Sequence, residues 1–200
     1  MSKFSRLHDT LNTRSLINMA KVATIISSQI GSLTKKELEK LVLKAAAKDK
    51  SFHDYLLVTY FEKEYGEQDL FDEAKEDLGE LFLKRYKGYA EEEKTAHLLA
   101  ECGKRITAFS KVCKNKSLEA DLILYVLEIP FSMGKRSFET CFTSFNYKTV
   151  LLLKRLIALV QTKMHEDYKM QYQSQVNNYL EILHSTSNYL DYVYSLPERI

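Results

Sequence analysis

Between Tyr147 and Val160 the chain reads YKTVLLLKRLIALV, and only Lys154 and Arg155 separate its two apolar runs, Val150–Leu153 and Leu156–Val160. A surface helix keeps one apolar stripe and a charged back. This segment is apolar most of the way round, which predicts a helix enclosed by others at the middle of a bundle or helical stack. The remaining segments are amphipathic, each with one face to bury, and this segment offers them a surface.

Periodicity and end signals divide the rest into helices. Leu16, Met19, Ala23, Ile26 and Ile30 recur by three and four, predicting a first helix over Asn12–Ile30 that Gly31 stops. Thr34 and Glu37 have the spacing of a capping box, so a second helix starts at Lys35, presents Leu38, Leu41, Val42 and Ala45, and ends near Lys48. Asp49 or Ser51 caps a third, with Phe52, Tyr55, Leu56, Thr59 and Tyr60 inward and Gly66 as its stop. A fourth opens near Asp69, buries Phe71, Ala74, Leu78, Leu81 and Phe82, and ends before Gly88. The fifth, Glu91–Lys114, repeats Leu99, Cys102, Ile106, Phe109 and Cys113. Ser117 caps a sixth that runs to Ile129, where Pro130 and Gly134 break the chain. Phe138, Phe142 and Phe145 lead into the central segment. A last helix from Tyr168 carries Tyr172, Val176, Tyr179, Leu183, Thr186, Leu190 and Val193 in a seam that ends at Pro197.

With two prolines, six glycines and no period-two alternation, the class is all-α. Short connections turn successive helices back on one another. The expectation is an irregular antiparallel bundle or a short α-solenoid-like stack of about eight helices. It forms one domain over residues 1–200, and the Pro130–Gly134 break is the only candidate subdomain hinge.

The phrases LTKKELEKLVLKAAAKDKSFHDYLL, LFDEAKEDLGELFLKR, GKRITAFSKV and EADLILYVLE, spread over residues 33–128, resemble an uncharacterised bacterial family of small all-helical proteins. The resemblance implies a bacterial cytoplasmic protein and brings no activity, cofactor or site residue with it. The tyrosine-rich final third lies outside it.

Three cysteines, Cys102, Cys113 and Cys141, make an odd set without CxxC spacing, which favours a reducing compartment over a disulfide framework. No apolar run is long enough for a membrane span, so no membrane insertion is expected. The acid-poor start, with Lys3, Arg6, Arg14 and several serines, is better read as a docked helix than as a transit peptide.

Motifs for chemistry are sparse. Glu181 and His184 form one Glu-x-x-His pair, whereas di-iron bundles need two such pairs and two further glutamates. Cys102 and Cys113 fall on an apolar seam, as small core residues do. His53–Asp54 and His165–Glu166–Asp167 are sequence neighbours, and adjacent positions on a helix point about 100° apart, so they make no dyad. With no nucleophile elbow, P-loop or dinucleotide fingerprint, no catalytic, cofactor-binding or metal residues are assigned.

Charge is the better lead. Asp49–Glu80 holds three Lys and eleven acids, a balance of −8, and Leu81–Lys163 holds fifteen Lys or Arg and eight acids, a balance of +7. Lys84, Arg85, Lys104, Arg105, Lys111, Lys114 and Lys116 therefore form a candidate phosphate-binding surface for nucleic acid. The competing explanation is local. The fourth and fifth helices begin with acids and end with bases, as the helix dipole favours. Asp69, Asp72, Glu73, Glu76 and Glu80 likewise read as the solvated back of the fourth helix. Six of thirteen tyrosines lie between Tyr168 and Tyr194, and Tyr168, Tyr172, Tyr179, Tyr189 and Tyr192 form a candidate partner surface, with a homodimer through the last helix as its simplest use. The alternative is that these rings cap the core. The leading reading is a non-catalytic helical interaction or scaffold protein that binds a protein or peptide. A nucleic-acid-associated protein and an enzyme of unrecognised type stand behind it.

Overall fold

Backbone donors at a helix start need acceptors, and Thr34 supplies one. Its Oγ1 accepts the Glu37 N–H at 3.4 Å while Glu37 Oε2 accepts the Thr34 N–H at 2.8 Å, the reciprocal box expected from the sequence. A computed structural model of the chain describes residues 26–61, 63–186 and 190–200. The expected burial of Leu16, Met19 and Ala23 lies outside them, as does Tyr189. Among the described residues every regular element is helical. The chain divides after His53 into two units, Met1–His53 and Asp54–Ile200. The first holds the helical stretch α1 (26–30) and helix α2 (Lys35–Lys48).

Helix α3 (Lys50–Leu56) passes into a π-helical turn at Leu57–Phe61. A wider turn rotates the following side chains out of the 3.6-residue register. Val58 is therefore the buried residue here, and Tyr60, expected inward, is 66% exposed beside an exposed Tyr55. Helix α4 (Lys63–Leu83) then runs straight through Gly66, which was expected to stop a helix. A Cβ at Gly66 would lie 3.2 Å from Leu57 Cδ2 and 3.4 Å from Val58 Cγ2, so this glycine lets the π turn approach α4 closely.

Helix α5 (Glu91–Val112) starts without a side-chain cap but carries Glu91, Glu92 and Glu93 in its first turn, where the dipole favours them. Leu99, Cys102, Ile106, Phe109 and Cys113 are all buried, as the periodicity predicts. Helix α6 (Lys116–Ser132) is capped by Asn115, whose Oδ1 accepts the N–H groups of Ser117 and Leu118, so the cap lies two residues before the expected serine. Pro130 lies inside α6 rather than ending it. In the last turn a proline forfeits only one backbone bond, and continuing the helix places Phe131 flat against Tyr179, ring centroids 3.9 Å apart.

A 3₁₀ turn over Lys135–Glu139 buries Phe138 between Phe131 and Phe145, each 5.1 Å away. Helix α7 (Thr143–Lys163) follows; the apolar runs predict a rod enclosed most of the way round, but its buried side chains cover roughly half of its circumference, with Leu151 and Ala158 facing solvent beside Lys154. It packs against α5, α6, α8 (Glu166–Thr186) and α9 (Leu190–Tyr194). Phe145, Val150, Leu152, Leu153, Leu156, Ile157, Leu159 and Val160 are buried, and the opposite side, with Tyr147, Leu151, Lys154, Ala158 and Gln161, faces solvent. Elements on both sides of Pro130–Gly134 share this core, and the division between units falls at His53 instead.

This environment separates two neighbouring leucines. Leu153→Ala, at a fully buried position, is expected to cost about 2–5 kcal/mol, while Leu151→Ala, at a position 42% exposed, stays within about 0.5 kcal/mol. Urea unfolding of both variants checks this. Equal losses would place α7 at the surface.

Candidate functional site

The seven predicted phosphate-binding residues do not line one surface. Lys84 and Arg85 sit on the α4–α5 connection and edge a cleft of about 370 Å³ with Phe82, Tyr86, Lys94 and Leu98. Lys84 Nζ lies 5.7 Å from the Tyr86 ring. Burial, then the neighbouring Cys102 and Glu101, raise the Tyr86 phenol above its ordinary value. Arg105 is spent on an ion pair with Asp77. Lys114 Nζ donates to the Lys111 carbonyl at 2.8 Å.

Lys116 is also committed, to a polar cluster joining three helices. Its Nζ donates to Glu119 Oε2 at 2.7 Å, while Arg155 on α7 gives Nε (3.0 Å) and Nη2 (2.8 Å) to Glu119 Oε1. Arg155 also reaches α5, donating to Thr107 Oγ1 at 2.9 Å and Ser110 Oγ at 3.1 Å. Glu119 is only 3% exposed. Burial alone raises its carboxyl pKa, and the hydrogen bonds and charges of Lys116 and Arg155 outweigh that and hold it below the ordinary value.

Lys104 and Lys111 share a second depression. With Lys148 of α7 they surround a shallow groove of about 500 Å³ floored by Ala100, Gly103, Thr107 and Ala108. Lys104 has an exposed partner one helical turn away, Glu101 at 2.7 Å, and Lys148 Nζ lies 5.6 Å from the Tyr147 ring. Lys111 Nζ has no ion pair among the described residues. Gly103 is not required by internal packing, because a Cβ there would meet only Leu152, at 3.9 Å. The floor is small at Gly103 without a packing requirement for it, while Thr107 is held by Arg155, and Lys104, Lys111 and Lys148 stand around it. Lys148 and this floor were not anticipated. The readable signal was Ala100, Gly103, Lys104, Thr107, Ala108 and Lys111, alternating by three and one along a single face of α5.

The tyrosine surface resolves differently. Tyr172 and Tyr179 are buried and are core residues, not partner contacts. Tyr172 Oη donates to Asp121 Oδ1 at 2.8 Å, and burial together with that carboxylate raises its pKa. Tyr179 Oη accepts from Gln175 Nε2 at 2.7 Å. The α8 seam expected to join two copies faces the chain's own core. Tyr168 stays exposed, and Tyr192 lies against Tyr147 with centroids 5.0 Å apart.

Glu181 and His184 do share a polar cleft of about 660 Å³ with Asn177, Asn178, Glu198 and Arg199. His184 Nε2 lies 3.1 Å from the Pro197 carbonyl, and no third His, Cys, Asp or Glu among the described residues converges with the pair as a metal would require. Cys102 is buried, and burial pushes its thiol up to about 12, which leaves no thiolate for nucleophilic work near neutrality. Among the described residues, no helix is long and apolar enough to cross a membrane. Comparison with known proteins found no matching family model, curated protein or solved structure.

Glu119→Gln leaves the shape of the cluster but removes the charge facing Lys116 and Arg155. The expected cost is about 1–3 kcal/mol near neutral pH. Because the native pKa is depressed, the contribution of Glu119 is present above the unfolded value of about 4.3 and fades as pH falls through the native one. Thermal unfolding of both proteins from neutral to acid pH should show the gap closing below about pH 4. A gap that persists undiminished in acid would contradict the pairing.

Proposed function

We propose that this chain is a helical interaction protein that binds an acidic protein or peptide segment along the groove between α5 and α7. The observation that carries this reading is the combination in one groove of a small-residue floor with three cations, Lys104, Lys111 and Lys148. A floor of Ala, Gly and Thr admits a backbone or a narrow helix to short range, and flexible lysines can close on its carboxylates from either side. The lining has no paired carboxylates and no thiol, which supports binding over bond-making. The cytoplasmic, bacterial setting implied by the resemblance is part of the same proposal.

Nucleic acid is the second reading, supported by the same lysines. It is weaker because Arg105 and Lys116 are committed to ion pairs with Asp77 and Glu119, which leaves a short cationic groove rather than a track several phosphates long.

The test compares a fluorescent oligoglutamate peptide with single-stranded DNA and RNA by anisotropy at low and moderate salt. The peptide should bind, and Lys104→Glu with Lys111→Glu should weaken it about tenfold or more. Ala108→Tyr, which fills an exposed part of the floor, should weaken it with little change in melting temperature. Binding of nucleic acid but not peptide would favour the second reading, and peptide binding indifferent to both changes would remove the groove from the account.

A further inference from the structure

The unit Met1–His53 differs electrically from the rest of the chain. It holds ten Lys or Arg against four acids, a balance of +6, while Asp54–Ile200 holds nineteen against twenty-three, a balance of −4. Half of that excess, five Lys against Glu37 and Glu39, lies on α2. Stepping about 100° per residue, Lys36, Lys40 and Lys44 follow one another along one side, and Leu38, Leu41, Val42, Ala45 and Ala46 span an arc of roughly 140° on the other. Lys36, Lys40, Lys44 and Lys48 are exposed, with no ion pair among the described residues.

Among the described residues the apolar side is only partly covered, with Leu38, Ala45 and Ala46 half-buried. No residue of α2 is buried. Leu41 is 48% exposed, Val42 40% and Leu43, between the two sides, 70%; Ile26 and Ile30 of α1 are exposed as well. A solvated helix back explains lysines but not leucines and valines left in water, each of which forgoes part of about 1.5–3 kcal/mol of burial.

We propose that α2 is an interfacial helix that docks this protein on an anionic lipid surface. The occupant is argued from charge and from layering. A second copy seated on the apolar side would leave both lysine rows facing outward with no opposite charge to meet. A lipid surface offers anionic headgroups outside and hydrocarbon about 5–10 Å further in, the same order as lysine heads beyond an apolar stripe. The helix lies on the bilayer and does not cross it. This inference is independent of the α5–α7 groove and concerns a different unit.

The experiment is co-sedimentation of the full chain with vesicles of phosphatidylcholine alone and of phosphatidylcholine mixed with phosphatidylserine. Binding to the mixed vesicles should be about tenfold or more tighter and should fall with added salt. Lys40→Glu with Lys44→Glu should abolish that preference. Leu41→Asp with Val42→Asp should weaken binding to the mixed vesicles about tenfold or more, with the far-ultraviolet helix signal of both variants retained. Absence of vesicle binding overturns the proposal, as does binding unchanged by the aspartates, which would be carried by charge alone. Concentration-dependent dimer mass in light scattering, or capture of an oligoglutamate peptide by α2, with no vesicle binding, would assign the face to a second copy or to an acidic protein and also overturns it.

Discussion

Burial of the broad apolar side of α7 is the constraint on which the larger unit depends. A helix with one narrow apolar stripe needs one neighbour, whereas α7 buries side chains from Leu159 and Leu152 round to Ile157 and Val150, roughly half of its circumference, and needs several. Helices α5, α6, α8 and α9 are those neighbours, and each brings only one face. Their opposite faces are free to be polar. This explains how a chain with 28% charged residues can have so dry an interior.

Apolar packing alone does not choose a rotational setting for three helices, and the Glu119 cluster does. Arg155 projects from the rod to one carboxylate on α6 and two hydroxyls on α5, a set of directions that one arrangement of the helices satisfies. Holding α7 against α5 in that setting also brings Lys148 beside the small-residue face of α5. The groove is thus a by-product of the same contact that organises the core, bordered by residues the core does not need.

Helix identity was legible in the sequence wherever a single periodicity ran unopposed, as in α5, and where an end signal was chemically complete, as at Thr34–Glu37. It failed where a residue had a second use. Gly66 reads as a stop but serves close approach to Leu57. Pro130 reads as a break, yet a proline in a last turn is tolerated when Phe131 and Tyr179 stack beyond it. Tyr60 reads as inward because a π turn leaves no mark in a 3.6-residue pattern. The candidate surfaces failed for a related reason. A lysine or tyrosine is named by its sequence, but whether its charge or hydroxyl is already satisfied depends on residues far along the chain, as with Arg105 and Asp77 or Tyr172 and Asp121.

Amide hydrogen exchange read residue by residue bears most directly on the buried side of α7. The account predicts that the amides of Val150–Val160 exchange slowest in the chain, through global unfolding, while those of α2 exchange many orders of magnitude faster through local opening. Exchange along Val150–Val160 as fast as along α2 would show that α7 is not the centre of the core and would contradict this arrangement.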